Sequence, residues 1–149
     1  MGAFDAIVAK LFGSLSPHMR GLGFEVVSIK SGVCVAKLPY RPELIGDPLS
    51  GVLHGGAVTT LLDSTGGAAV LSAMKGPTSL ATLDLRIDYL RPSRPGRALL
   101  ARVECYKTTR HVAFTRGIAY DGDEDDPVAS MAATFMLNTR SFGGKRKKA

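Results

Sequence analysis

The spacing of apolar residues divides the chain into regular segments. Phe4, Ile7, Val8, Leu11 and Phe12 recur at i, i+3, i+4, i+7 and i+8, which predicts an amphipathic helix over residues 4–13. Helical character resumes at Ser16-Pro17, where the serine suits an N-cap and the proline suits a first turn. Two β-rich runs within "FEVVSIKSGVCVAKLPY" flank Ser31-Gly32, a hairpin signal. The stretch "RPELIGDPLSGV" carries two prolines and two glycines and reads as a loop. A strong central helix follows, from Gly55 to about Met74. Beyond it, Leu83, Leu85, Ile87 and Tyr89 alternate with Asp84, Arg86 and Asp88, the period of a strand with one buried face. "GRALLARVECYKTT", "HVAFTRGIAYDG" and "PVASMAATFMLN" predict three more strands. The acidic turn "DGDEDDP" lacks the ligand order of an EF-hand and reads as solvated.

The order is helix, two strands, long helix, four strands. It predicts an α+β fold: an antiparallel sheet of six strands with one long helix covering its apolar face. A single helix wrapped by a curled sheet is the hotdog arrangement. The 149 residues suit one domain, residues 1–140, with a basic tail over residues 141–149.

Composition adjusts this picture in three places. The net charge of +6 includes Lys145, Arg146, Lys147 and Lys148 of the tail, so the body carries only about +2. No aromatic residues interleave with those cations, which argues against a nucleic-acid surface. Cys34 and Cys105 stand in separate β-like stretches without metal-ligand spacing, so free thiols and no metal are expected. No apolar run reaches membrane-spanning length, and Asp5 interrupts any signal-peptide core, so the expected location is the cytoplasm, with no membrane partner.

The central helix carries the candidate chemistry. At 100° per residue, Gly56, Thr59, Thr60, Asp63, Gly67, Val70 and Met74 share one face. Val58, Leu61, Leu62, Thr65 and Ala69 share the other, which should rest on the sheet. Glycine inside a helix costs about 1 kcal/mol relative to alanine, so Gly66 and Gly67 need a packing reason, such as close approach of a second helix. The first N–H groups of a helix have no internal partner and carry partial positive charge. At Gly55 a carbonyl oxygen could approach them directly, as in an oxyanion site. A carboxylate such as Asp63 could act as nucleophile or as base toward water. An eight-residue offset places Asp63 about 12 Å along the axis from Gly55. One helix therefore cannot bring both to one reacting group. Two antiparallel copies can, so this chemistry requires a homodimer with two composite sites. An exposed or merely hydrogen-bonded Asp63 is the structural alternative.

"LHGGAVTTLLDSTGG" followed by "TLDLRIDYLRPSRPG" resembles the hotdog-fold acyl-CoA thioesterases of the phenylacetic-acid-degradation type, over roughly residues 20–140. The resemblance implies hydrolysis of an acyl-CoA thioester to free acid and CoA, with no metal or redox cofactor. It implies that Gly55 polarises the thioester carbonyl, that Asp63 is the catalytic carboxylate and that Thr82 helps to position water. His54 would order the helix start, with a catalytic role as the alternative. Gly56, Thr59 and Thr60 fall on the substrate-binding face. Relatives carry an Asn about six residues before the His; here Pro48 stands there, beside Asp47 as a possible substitute. Arg91, Arg94, Arg97, Lys107 and Arg110 are the candidates for the CoA phosphates. Pairing of dimers into a tetramer is also implied. The rival readings are a hydratase or dehydratase of acyl thioesters, pairing His54 with the acid, and a non-catalytic acyl-CoA-binding protein.

Overall fold

A computed structural model describes residues 2–74 and 78–138, the side chains of Ser14 and Leu15 excepted. The basic tail predicted over residues 141–149 lies outside the described residues. Helix α1 (Ala3–Lys10) passes into a π-helical turn, Leu11–Leu15, and α2 (Pro17–Leu22) follows. Ser16 caps α2, its hydroxyl accepting from the Met19 N–H. The predicted helix over 4–13 therefore ends in a wider turn than its period implied. Its apolar stripe is also only partly covered: Val8 is buried, whereas Ile7 is 63% exposed. The reason is placement. The segment packs on α3 and β1 through the side that carries Val8 and leaves Ile7 outside.

Strands β1 (Glu25–Lys30) and β2 (Val33–Leu38) form the predicted hairpin. Its turn residues, Ser31 and Gly32, have φ of 50° and 84°. Positive φ at both central positions matches the right-handed twist of the two strands. The predicted loop contains more order than its composition suggested. A 3₁₀ turn (Pro42–Leu44) leads into a short hairpin of β3 (Ile45–Asp47) and β4 (Val52–Leu53). Helix α3 (Gly55–Ala73) is followed by β5 (Leu80–Tyr89), β6 (Leu99–Thr108), β7 (Val112–Tyr120) and β8 (Ala129–Leu137). The six long strands form one antiparallel sheet in the order β1-β2-β6-β7-β8-β5, and α3 packs against all of them. This is the expected α+β hotdog architecture.

Val58, Leu61, Leu62, Thr65 and Ala69 of α3 are buried against the sheet, as their spacing predicted. Thr65 satisfies its hydroxyl on the Leu61 carbonyl at 2.6 Å. The two mid-helix glycines are explained within the chain. A Cβ at Gly66 would lie 3.1 Å from Phe135 Cζ, and one at Gly67 would lie 3.3 Å from Phe12 Cζ. This corrects the expectation that Gly67 makes room for a second helix, because Phe12 and Leu80 already occupy that side. The small face is thus open at Gly56–Asp63 and closed from Gly67 to the fully buried Val70.

The strand after α3 departs from its pattern in a way that matters for the site. Thr82 pairs with Phe135 and Asp84 with Thr134, so Leu83 is an extra, bulged residue. One inserted residue moves everything before it to the opposite face. Leu80 and Thr82 therefore stand opposite the buried Leu137 and Phe135, while Leu83, predicted to be buried, is 51% exposed. Val27 and Tyr106 sit at the two other irregularities of the sheet and are exposed for the same reason. Cys34 and Cys105 are free thiols; burial pushes the Cys34 thiol up to about 12 and raises that of Cys105.

Candidate active site

The helix start is assembled by the β3–β4 loop. The His54 N–H donates to the Leu44 carbonyl at 2.8 Å, and the His54 ring caps α3, its Nδ1 accepting from the Gly56 N–H at 2.9 Å. With Nδ1 accepting, the ring proton sits on Nε2. Ala57 and Val58 donate to the His54 carbonyl. Gly55 is the remaining first-turn donor, and its N–H has no partner among the described residues. The loop comes this close only because residue 46 is glycine. A Cβ at Gly46 would lie 2.7 Å from the His54 Cα, a backbone atom that cannot swing aside. Gly46→Ala is therefore expected to displace the helix start and to lower kcat/KM by about tenfold or more, since displacements near 1 Å carry such costs. Steady-state kinetics beside an unchanged circular-dichroism spectrum would check this.

Gly55 is also closed in by a residue that the sequence did not single out. The Tyr89 hydroxyl, at the end of β5, donates to the Gly55 carbonyl at 2.8 Å and lies 2.9 Å from Thr59 Oγ1. Thr59 and Thr60 bond back to the Gly55 and Gly56 carbonyls, at 3.1 and 2.9 Å. Their hydroxyls are thus occupied by the helix itself, which leaves their methyl groups to shape the open face. An aromatic residue at the end of a period-two strand next to a Gly-rich helix start was the only signal for Tyr89, and it is a weak one.

Two turns along, Asp63 is half-buried and accepts from Thr82 Oγ1 at 2.8 Å. The bulge at Leu83 creates this contact by turning Thr82 inward. Asp63 and Thr82 are therefore brought together, as are His54, Gly55 and Gly56. The two groups remain on separate turns of one helix.

Asp47 has a different occupation from the one considered for it. Its carboxylate accepts from the Leu49 N–H at 3.0 Å and from the Ser50 hydroxyl at 2.5 Å. Those bonds hold it below the usual carboxylate range, the Ser50 contact first. It is tied to its own loop, and no bond from it to α3 is found among the described residues.

Arg91 and Arg94 are also committed elsewhere. Arg91 grips Asp121 with two nitrogens, at 2.6 and 3.0 Å, and reaches the Asp126 carbonyl at 2.7 Å. Arg94 donates its backbone N–H to Asp121 at 2.6 Å and its guanidinium to Asp126 at 3.0 Å. The Arg91 guanidinium holds Asp121 down at about 2. The acidic turn is accordingly not wholly solvated, since Asp121 is only 2% exposed. Arg97 reaches the Asp121 carbonyl at 3.4 Å. Lys107 and Arg110, at the β6–β7 turn, are exposed.

No helix among the described residues is long and apolar enough to cross a membrane. The thioesterase superfamily model matches residues 50–128, more than half of the chain. The medium/long-chain acyl-CoA thioesterase YigI of Escherichia coli is 26% identical over 88% of this chain and 92% of its own. A Pseudomonas aeruginosa protein of known crystal structure is 39% identical, superposes with a TM-score of 0.80 and covers 89% of this chain and 98% of its own. A point variant of the phenylacetic acid degradation protein PaaI from Thermus thermophilus is 29% identical, with a TM-score of 0.70 over 81% of this chain and 98% of its own. Together with the sheet order and the capped glycine start of α3, these likenesses show that the chain belongs to the thioesterase superfamily and is a PaaI-like hotdog thioester hydrolase.

Proposed function

We propose that this protein is an acyl-CoA thioesterase whose active sites are shared between the subunits of a homodimer. In each site the Gly55 N–H of one subunit polarises the thioester carbonyl. Asp63 of the other acts as base toward water, with Thr82 holding one carboxylate oxygen and leaving the second free. The observation that carries this reading is a pair of unfinished groups on one helix. The uncommitted Gly55 donor opens α3 and the Thr82-bound Asp63 lies on its open face, about 12 Å apart along the axis. Only a second copy brings them to one carbonyl.

The sheet supports the same assembly. β5 is an edge strand of ten residues, and Leu83, Tyr89 and Leu90 are each more than half exposed along it. Long edge strands are normally covered. Antiparallel pairing of β5 with β5 of a second copy covers them and sets the Thr82 end of one against the Tyr89 end of the other. It also brings Lys107 and Arg110 of one subunit, which neighbour the Thr82 end across β7 and β8, toward the Gly55 end of the partner. These two exposed cations are our choice for the CoA phosphates, because Arg91 and Arg94 are engaged by carboxylates. The acyl-CoA substrate is taken from the relative YigI, named for that activity. The reaction as proposed uses water and no cofactor; CoA is part of the substrate. The capping role of His54 favours hydrolysis over hydration, since Nδ1 is already occupied by Gly56.

The test is release of free CoA thiol from phenylacetyl-, benzoyl- and straight-chain acyl-CoAs by the purified protein. Thr82→Ala is expected to lower kcat by about tenfold with little change in KM, and Thr82→Ser to restore most of it. Equal activity of the two variants would remove Thr82 from the site.

A further inference from the structure

A thioesterase needs a place for the acyl group that it releases. A cavity of about 440 Å³ lies between the N-terminal segment and α3, with Ser64, the residue after Asp63, in its wall. Leu11, Phe12, Ser16, His18, Met19 and Ser64 line it. We propose that this cavity receives the acyl tail of the substrate, and that the protein is selective for flexible, unbranched acyl chains of medium length. The assignment rests on the thioesterase reading.

Position is the first argument. Ser64 follows Asp63 directly. Phe12, which lines the cavity, also covers Gly67, one turn beyond Asp63 on the same face. Leu80 covers Gly67 from the other side, at 3.6 Å from a Cβ there, and stands two residues from Thr82. The cavity wall thus begins one residue from the carboxylate that the reaction uses, within reach of a chain that continues from a thioester carbonyl held there.

Chemistry is the second. Both hydroxyls in the wall are engaged within the chain. The Ser16 hydroxyl accepts from the Met19 N–H, and the Ser64 hydroxyl donates to Met19 Sδ at 3.4 Å. Leu11, Phe12 and Met19 supply the remaining wall, with exposed His18 at the rim. A wall of Leu, Phe and Met whose two hydroxyls already have partners favours an apolar occupant. The volume falls within the usual range for small-molecule sites, about 300–1,000 Å³. Met19 adapts to a flexible chain better than a branched side chain would. The π-helical turn Leu11–Leu15 forms part of the wall, and such turns recur at functional sites.

Steady-state kcat/KM over a series from butyryl- to hexadecanoyl-CoA tests the proposal. The wild-type value is expected to rise about fourfold per methylene and then level off when the cavity is full. Leu11 is 43% exposed, so it can be changed without opening the core. Leu11→Trp, which narrows the cavity, should lower the decanoyl-to-butyryl ratio of kcat/KM by tenfold or more. Leu11→Ala should move the plateau to longer chains. Thermal melts of both variants would confirm the fold. A flat chain-length profile, or ratios that neither variant alters, would overturn the assignment of the cavity while leaving the thioesterase reading intact. Preference for phenylacetyl-CoA over every straight chain would overturn the proposed selectivity. Hydrolysis of no acyl-CoA at all would overturn both readings.

Discussion

Asp63→Asn is expected to lower kcat for acyl-CoA hydrolysis by a factor of about 10³, while the protein stays folded and its state of association is unchanged. The substitution is chosen for what it keeps. An amide oxygen can still accept from Thr82 Oγ1, as the carboxylate oxygen does at 2.8 Å. The side chain is half-buried on the open face of α3, and the opposite face carries the packing. What is lost is the negative charge and the proton-accepting oxygen. Loss of a positioned base typically costs about 10²–10⁴ in rate. Substrate contacts are retained, so KM should change little, the pattern of an interaction made mainly in the transition state. Thiol-release kinetics, with size-exclusion chromatography and a thermal melt of the same preparation, would measure this. Near-normal hydrolysis by the Asn variant would exclude Asp63 as the catalytic carboxylate.

The largest expected effect on stability comes from Asp121→Asn. Asp121 is buried and receives both Arg91 and Arg94. Removing one partner of a fully buried ion pair costs about 3–5 kcal/mol. Here Arg91 and Arg94 keep Asp126 as a second carboxylate, so a loss of about 2–3 kcal/mol is expected. For a chain of this size that corresponds to a fall in Tm of about 5–10 °C. The pH dependence has a definite sign. The folded-state value of Asp121 is depressed, from an ordinary 3.8 to about 2. Its contribution is therefore fully present above pH 3.8 and is lost as the pH falls through that window to about 2. The shift corresponds to about 2 kcal/mol. Urea melts of the wild type between pH 5 and 2 should show that loss, and Asp121→Asn should reduce it by a similar amount. Parallel acid limbs in the two proteins would show that the ion network does not set acid stability.

The network also marks where sequence reading reaches its limit. Helical and strand periods are local properties, and they predicted α3, the hairpin at Ser31-Gly32 and the six long strands. Asp121 and Arg91 are thirty residues apart and meet only because the end of β5 and the β7–β8 turn lie at the same end of the sheet. From local composition, the arginines resembled free phosphate ligands and the acids a solvated turn. The bulge at Leu83 is hidden for a related reason. Strict alternation across "TLDLRIDY" predicts one continuous inward face, and only pairing with β8 shows the break. That break brings Thr82 to Asp63 and leaves Leu83 on the outside of an edge strand. Gly67 was read as space for a partner because helical spacing cannot show that Phe12, fifty-five positions earlier, fills it. The helix start was more legible. His-Gly-Gly names a cap and an approachable N–H, although the closeness of Gly46 and Tyr89 required coordinates.

If each site takes its donor from one subunit and its carboxylate from the other, two inactive variants should complement each other when mixed. Asp63→Asn removes the base. Gly55→Pro removes the donor N–H at a first-turn position that proline tolerates, and His54 already has the extended conformation that a following proline requires, with φ −62° and ψ 135°. The two proteins are dissociated, mixed in equal amounts and reassociated. Half of the dimers are then mixed, and a shared site leaves one of their two centres intact. About one quarter of wild-type activity is therefore expected from two inactive parents. No recovery in a mixture shown to contain the mixed dimer would contradict it.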